Sequence, residues 1–99
     1  MKDLFVVLAR CETDCNDVSV EVWDDFTSAC VAQIRMCRLI SVEEAAEMIS
    51  DELLEQIRLI LTERKQFKYI SGNREAILFY APATQISRKF DAFQPQEPG

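Results

Sequence analysis

The sequence predicts an α+β fold: a single antiparallel four-stranded sheet with two helices on one face. Three observations support it. Two N-terminal segments have strand-like composition, two central segments repeat apolar residues at helical spacing, and residues 67–82 are typical of a hairpin. The predicted element order is ββααββ. We expect residues 1–93 to form a single α+β domain, with a short C-terminal flexible tail over 94–99.

The two N-terminal strands are expected to form a hairpin. Residues 4–11 are a continuous apolar run, typical of a strand buried on both faces. Residues 17–23 alternate strictly between apolar and polar side chains, which predicts a strand with one side in solvent. The apolar side carries Val18, Val20 and Val22, and the polar side carries Ser19 and Glu21.

Residues 24–40 change to a helical period. Apolar residues recur at helical spacing, and two aspartates precede them, where the positive end of a helix favours anions. The apolar set is Phe26, Cys30, Ile34 and Cys37. This pattern predicts the first helix, although a strand over 30–39 is an alternative.

The second predicted helix begins after a capping box formed by Ser41 and Glu44. An apolar stripe follows, and it predicts one face turned toward the core. The stripe is Val42, Ala46, Ile49, Leu53, Ile57 and Ile60. Ser50 followed by Asp51 is a possible second cap, which would divide this segment into two shorter helices.

Residues 67–82 predict the second hairpin, because Gly72 and Asn73 suit a tight two-residue turn. That turn pairs Tyr69 with Ala76. Residues 75–81 are apolar on both faces, as are residues 4–11, so both strands belong in the middle of the sheet. The predicted strand order is 2-1-4-3.

A sheet with both helices on one face leaves its other face uncovered. Ile70, Ile77 and Phe79 are expected on that uncovered face. An apolar sheet face of this kind commonly meets a second copy of the same chain, so we expect these residues to mediate a homodimer. Docking of Phe90 and Phe93 from the C-terminal segment is the intramolecular alternative.

Charge is unevenly distributed along the chain, whose formal net charge is -6. Residues 1–57 contain 13 acidic and 4 basic side chains, a net of -9, and residues 58–99 contain 4 acidic and 7 basic ones, a net of +3. Direct nucleic-acid binding is not expected, because phosphate contacts need clustered lysine and arginine. The acidic half instead suggests a protein partner with a basic surface.

The acids of the second helix recur four residues apart, where like charges repel. The dipole of the helix explains an acid in its first turn, such as Glu43, but not the later ones. The series Glu43, Glu47, Asp51 and Glu55 therefore predicts an anionic ridge that binds the basic partner. The expected function is that of a regulator or inhibitor, such as a phage- or plasmid-type accessory protein that acts on a nucleic-acid-handling protein.

Enzymatic activity and a bound cofactor are not expected. The chain contains no histidine and only 2 glycines, and no catalytic or phosphate-binding motif is present. The spacing of the four cysteines, Cys11, Cys15, Cys30 and Cys37, does not match a structural zinc site. A cysteine-based metal or redox module is one alternative function, and a small assembly subunit acting through the apolar sheet face is another.

The N-terminus lacks the pattern of a secretory signal, and no apolar run is long enough to span a membrane. We therefore expect a cytoplasmic protein that does not bind membranes and whose cysteines are reduced thiols.

Overall fold

The structure is a computed structural model that describes residues 3–82. These residues form one antiparallel sheet and helices packed on it, which confirms the predicted α+β fold. The elements are β1 (Leu4–Cys11), β2 (Asp14–Trp23), α1 (Phe26–Arg38), α2 (Val42–Glu47), α3 (Asp51–Arg64), β3 (Gln66–Ser71) and β4 (Arg74–Ala81). The predictions for Phe90, Phe93 and residues 94–99 concern residues outside this range.

The strand order of the described sheet is β2-β1-β4-β3, with every neighbouring pair antiparallel. The two strands predicted to be central, β1 and β4, are central. Tyr69 pairs with Ala76 as predicted. Gly72 has a φ of +61°, a left-handed conformation that glycine adopts without the steric cost of a side chain.

The core lies between the sheet and the helices. Helix α1 contacts all four described strands. Small buried residues line this contact, with Ala9 and Ala76 on the sheet and Ala29 and Ala32 on the helix. These short side chains let the backbone of α1 approach the two central strands closely. The core therefore combines close backbone packing beneath α1 with larger buried side chains such as Leu61 and Leu78.

Helix α1 extends over most of the segment predicted to be helical, and the alternative of a strand over 30–39 is wrong. Asp25 caps its N-terminus by accepting a hydrogen bond from the backbone N–H of Ser28 at 2.8 Å. The side chain of Ser28 and, secondarily, this backbone bond lower the pKa of the Asp25 carboxyl. The helix ends at Leu39, whose φ of +56° is left-handed.

The second predicted helix is divided into α2 and α3. Ser41 Oγ caps α2 by accepting from the N–H of Glu44, and Ser50 Oγ caps α3 by accepting from the N–H of Leu53, both at 3.1 Å. A single continuous helix is therefore wrong, and the alternative of a second cap is correct. The side chain of Ser50 satisfies an N–H at the start of α3, so the break needs no glycine or proline.

The side of β2 that is open to solvent is the opposite of the one predicted. Its valine side is open, with Val18, Val20 and Val22 exposed by 51%, 57% and 58%. Glu21 instead faces the helices, since it pairs with the buried Val7 on β1 and forms an ion pair with Arg35 on α1. The valines are on the face of the sheet that the helices do not cover.

Candidate interaction surfaces

The side of the sheet opposite the helices is a broad apolar surface, here called the open sheet face. Side chains alternate between the two faces along a strand. Val7, Ala76 and Leu78 point toward the helices, so the residues next to them along each strand, and those paired with these neighbours, belong to the open sheet face. Its apolar residues are Leu4, Val6, Leu8, Val18, Val20, Val22, Ile70, Ile77 and Phe79.

These residues form continuous rows across the strands. Val20 on β2 pairs with Leu8 on β1, which in turn pairs with Ile77 on β4. Ile70, at the outer strand β3, is 62% exposed, while Ile77 and Phe79 are partly buried. The structure thus places the three residues predicted for self-association on one face, and it adds the valines of β2 to them.

Charged residues lie at one end of the open sheet face and are paired within the chain. Glu75 forms an ion pair with Arg10 and a second one with Lys68 at 3.5 Å. The hydrogen bond from Arg10 is the main reason that the pKa of the Glu75 carboxyl lies below its ordinary value. This end of the face therefore presents a compensated ion cluster rather than an isolated charge.

The size of the open sheet face can be compared with known interfaces. Four strands spaced about 4.8 Å apart, each about eight residues long at 3.4 Å per residue, cover about 500 Å². Two such faces in contact bury about 1,000 Å², the lower limit for a specific protein–protein interface. The face is thus large enough for a modest, specific association.

The acids predicted to bind a partner lie on the helical side of the molecule. Glu43 and Glu47 belong to α2, and Asp51 and Glu55 belong to α3; all four are exposed. Because α2 ends at Glu47 and α3 begins at Asp51, the four acids do not share the one continuous helix from which the ridge was predicted.

The break also explains part of the charge pattern. Asp51 lies in the first turn of α3, where the helix dipole favours a negative charge. Glu55 lies 3.8 Å from the guanidinium of Arg58, one turn along the same helix. The acids that remain without such a local explanation lie toward the end of α2.

A groove of about 240 Å³ lies between α1 and α2. Mainly apolar side chains line it, and Trp23 is the largest of them. Glu21 accepts a hydrogen bond from Trp23 Nε1 at 3.1 Å and also pairs with Arg35, another lining residue. The indole and the guanidinium are thus both held in place by the same carboxylate.

A second cavity, of about 230 Å³, lies beside Phe5, Phe26 and Tyr80. The rings of Phe5 and Tyr80 are stacked at 5.4 Å, and the guanidinium of Arg58 lies 4.5 Å from the centre of the Phe26 ring. These cation–π and ring contacts are made within the chain. The aromatic residues therefore serve packing, and Arg58 is already engaged with Phe26.

The thiols do not form a reactive or metal-binding cluster in the part of the chain that the structure describes. Burial in the core raises the pKa of Cys30 to about 12 and also raises the pKa of Cys37. Cys11 has a lowered pKa, because the hydroxyl of Thr13 hydrogen-bonds to its sulfur. Cys30 and Cys37 are therefore core residues.

Three buried polar residues were missed in the sequence: Gln33, Arg74 and Glu75, whose ion pairs are described above. Gln33 on α1 is 1% exposed, and its Nε2 donates to the carbonyl oxygens of Phe67 at 2.8 Å and Ala76 at 2.9 Å. Arg74 on β4 is 8% exposed and donates to the last turn of α1. The burial of Gln33 could have been predicted from the sequence, because Gln33 lies between the apolar positions of α1, where an exposed residue is not expected.

Neither the family models, nor the curated proteins, nor the solved structures with which the chain was compared gave a match. Over residues 3–82, no helix combines the length and the apolar character needed to cross a membrane.

Proposed function

We propose that the protein is a non-enzymatic interaction module of the cytoplasm that forms a homodimer through its open sheet face. The observation that carries this proposal is the exposure of Val18, Val20, Val22 and Ile70, each more than half exposed on one side of a sheet. Contiguous apolar surface of this extent on a small chain is typical of an interface. The function is then that of an assembly subunit.

A second copy of the chain is the partner that this face suits best. In a twofold dimer the same patch is used on both subunits, so an apolar face meets an apolar face. The charges on the face are already paired within each chain by Glu75, so they need no opposite charge from the partner. The acidic helices would then point outward on both sides of the dimer.

Size-exclusion chromatography with light scattering tests the dimer on the full chain. We expect the wild type to have twice the chain mass of 11.4 kDa at about 100 µM. Val20→Lys should be monomeric, because it places a charge at the centre of the interface. Leu59→Lys is the matched control: Leu59 is 65% exposed on α3, and its substitution should leave the dimer intact.

A monomeric wild type would contradict the proposal. If that monomer became a dimer only after Phe90 and Phe93 were both replaced by serine, the C-terminal segment would be the natural cover of the sheet face, and this too would overturn it. Circular dichroism of each variant separates loss of association from loss of folding.

Binding of a basic partner protein by the acidic helices is a second candidate function, compatible with the first because it uses the opposite side of the molecule. It is favoured by the exposure of Glu43, Glu47 and Asp51, none of which forms an ion pair with another described residue. Such a module would act as a regulator or inhibitor of its partner. Because Glu43 and Glu47 lie on α2 and Asp51 lies on α3, charge reversal on one helix at a time tests the contribution of each helix to binding.

A further inference from the structure

We propose that the groove between α1 and α2 binds an amphipathic, positively charged segment of a partner protein. An apolar side chain of the segment enters the groove beside Trp23, and its lysine or arginine side chains meet Glu43 and Glu47. This inference deepens the second candidate function and rests on it. It does not depend on the dimer, because the groove lies on the helical side of the sheet.

The groove is preformed. The indole of Trp23 and the guanidinium of Arg35 lie at its wall, and Glu21 holds both by accepting from Trp23 Nε1 and pairing with Arg35. Helix α2 contacts α1, and its Ala45 is fully buried. A site whose walls are already ordered loses little conformational freedom when a ligand binds.

The groove favours an apolar side chain. Val31 and Ala32 of α1 and Val42 and Ala46 of α2 line it. Val42 remains 53% exposed although it lies at the first position of α2, next to the apolar surface of α1. A side chain that entered the groove would remove this apolar surface from water, which is the main source of affinity in such sites.

The rim of the groove favours a cation. Glu43 and Glu47 follow the lining residues Val42 and Ala46 by one position each, so they lie on the adjacent flank of α2. Asp25, at the start of α1, carries a carboxyl whose lowered pKa keeps it ionised. The positive charge of Arg35 is compensated by Glu21. These carboxylates, which adjoin the lining residues in sequence, favour a cation beside the groove.

Trp23 is the only tryptophan in the chain and therefore reports on the groove. The probe is a 14-residue synthetic peptide with leucine on one helical face and lysine on the other, and the control peptide has glutamate in place of each lysine. We expect the lysine peptide to shift Trp23 fluorescence to shorter wavelength in a saturable titration. The glutamate peptide should leave it unchanged.

Two pairs of variants test where the peptide binds. Replacing both Glu43 and Glu47 with lysine should weaken binding about tenfold or more. The matched control, replacement of Glu52 and Glu63 with lysine, changes the net charge equally at exposed sites on α3 and should weaken binding far less. Val42→Gln should weaken binding several-fold, whereas Leu59→Gln should not.

Equal loss in the two double variants would mean that the peptide responds only to net charge, and this would overturn the proposal. In the monomeric Val20→Lys variant, a Trp23 signal that changed with protein concentration in the absence of peptide would identify a second copy as the occupant of the groove, and would overturn the proposal also. The mass of each variant by light scattering should remain that of the wild type, so failure of the groove and failure of the dimer are distinguishable.

Discussion

Arg74 on β4 donates a hydrogen bond from Nε to the carbonyl oxygen of Cys37 at 3.0 Å, so a strand residue caps the end of helix α1. Its Nη2 donates to the carbonyl oxygen of Met36 at 3.1 Å, and its Nη1 pairs with Asp17 on β2. The carbonyls at a helix C-terminus lack partners within the helix and carry partial negative charge. One buried guanidinium therefore joins α1 to both β2 and β4.

Replacement of Arg74 by methionine should lower the free energy of unfolding by about 3 kcal/mol, because it leaves the two carbonyls and Asp17 without their donor. Urea unfolding followed by circular dichroism measures this change. Arg64→Met, at an exposed site in the last turn of α3, is the matched control and should change it by less than about 0.5 kcal/mol. Equal effects would show that the buried contacts of Arg74 contribute nothing specific.

The break between α2 and α3 leads to a prediction in which the sign of the stability change distinguishes a broken helix from a continuous one. Ser50→Ala should lower the free energy of unfolding by about 1 kcal/mol, because the cap on the N–H of Leu53 is lost. In a continuous helix Ser50 would lie in the interior, where alanine is the better helix former. A variant more stable than the wild type in urea unfolding would therefore contradict the break.

The ion cluster of Glu75 should make stability depend on pH. Its pKa is lowered in the folded state, chiefly by the hydrogen bond from Arg10, so its stabilising contribution is fully present above the unfolded value of about 4.3. The contribution is lost as pH falls through the lower folded value. Compared with Glu75→Gln, the wild type should lose more stability between about pH 5 and pH 2 in urea unfolding. Parallel curves for the two proteins would count against the ion cluster.

The four thiols should differ in reactivity. The exposed Cys15 should react readily with an aromatic disulfide reagent at pH 8. Burial raises the pKa of the Cys30 thiol to about 12, so little of it is thiolate at that pH, and Cys37 is buried as well. Both should react only after unfolding in urea, as absorbance and mass spectrometry of the labelled peptides will show. Rapid labelling of Cys30 in the folded protein would contradict its place in the core.

Those parts of the fold that depend on local pattern could be predicted from the sequence. Residues 4–11 and 75–81 are mainly apolar on both faces, and that sufficed for the strand order. The turn at Gly72 and Asn73 sufficed for the register of the second hairpin. In both cases, the deciding residues are neighbours in the chain, so no distant contact was needed to interpret them.

The side of β2 that meets the helices could not be predicted in this way. Alternation shows that the valine side and the Glu21 side differ, but not which one faces α1. The answer depends on Arg35, 14 residues after Glu21, and on Arg74, 57 residues after Asp17. These arginines place the acids on the helical side, and the valines consequently form the open sheet face. Because these contacts join residues far apart in the sequence, the full extent of the open sheet face could not be predicted from the sequence.

The central claim, a homodimer formed through the open sheet face, is tested most directly by isotope-filtered NMR. A dimer mixed from labelled and unlabelled chains reports contacts between the methyl groups of different subunits. The account predicts intersubunit contacts from Val18, Val20 and Val22 to methyl groups of the same face, and none from Leu59. The absence of intersubunit contacts at concentrations near 1 mM, or contacts from Leu59 instead, would contradict it.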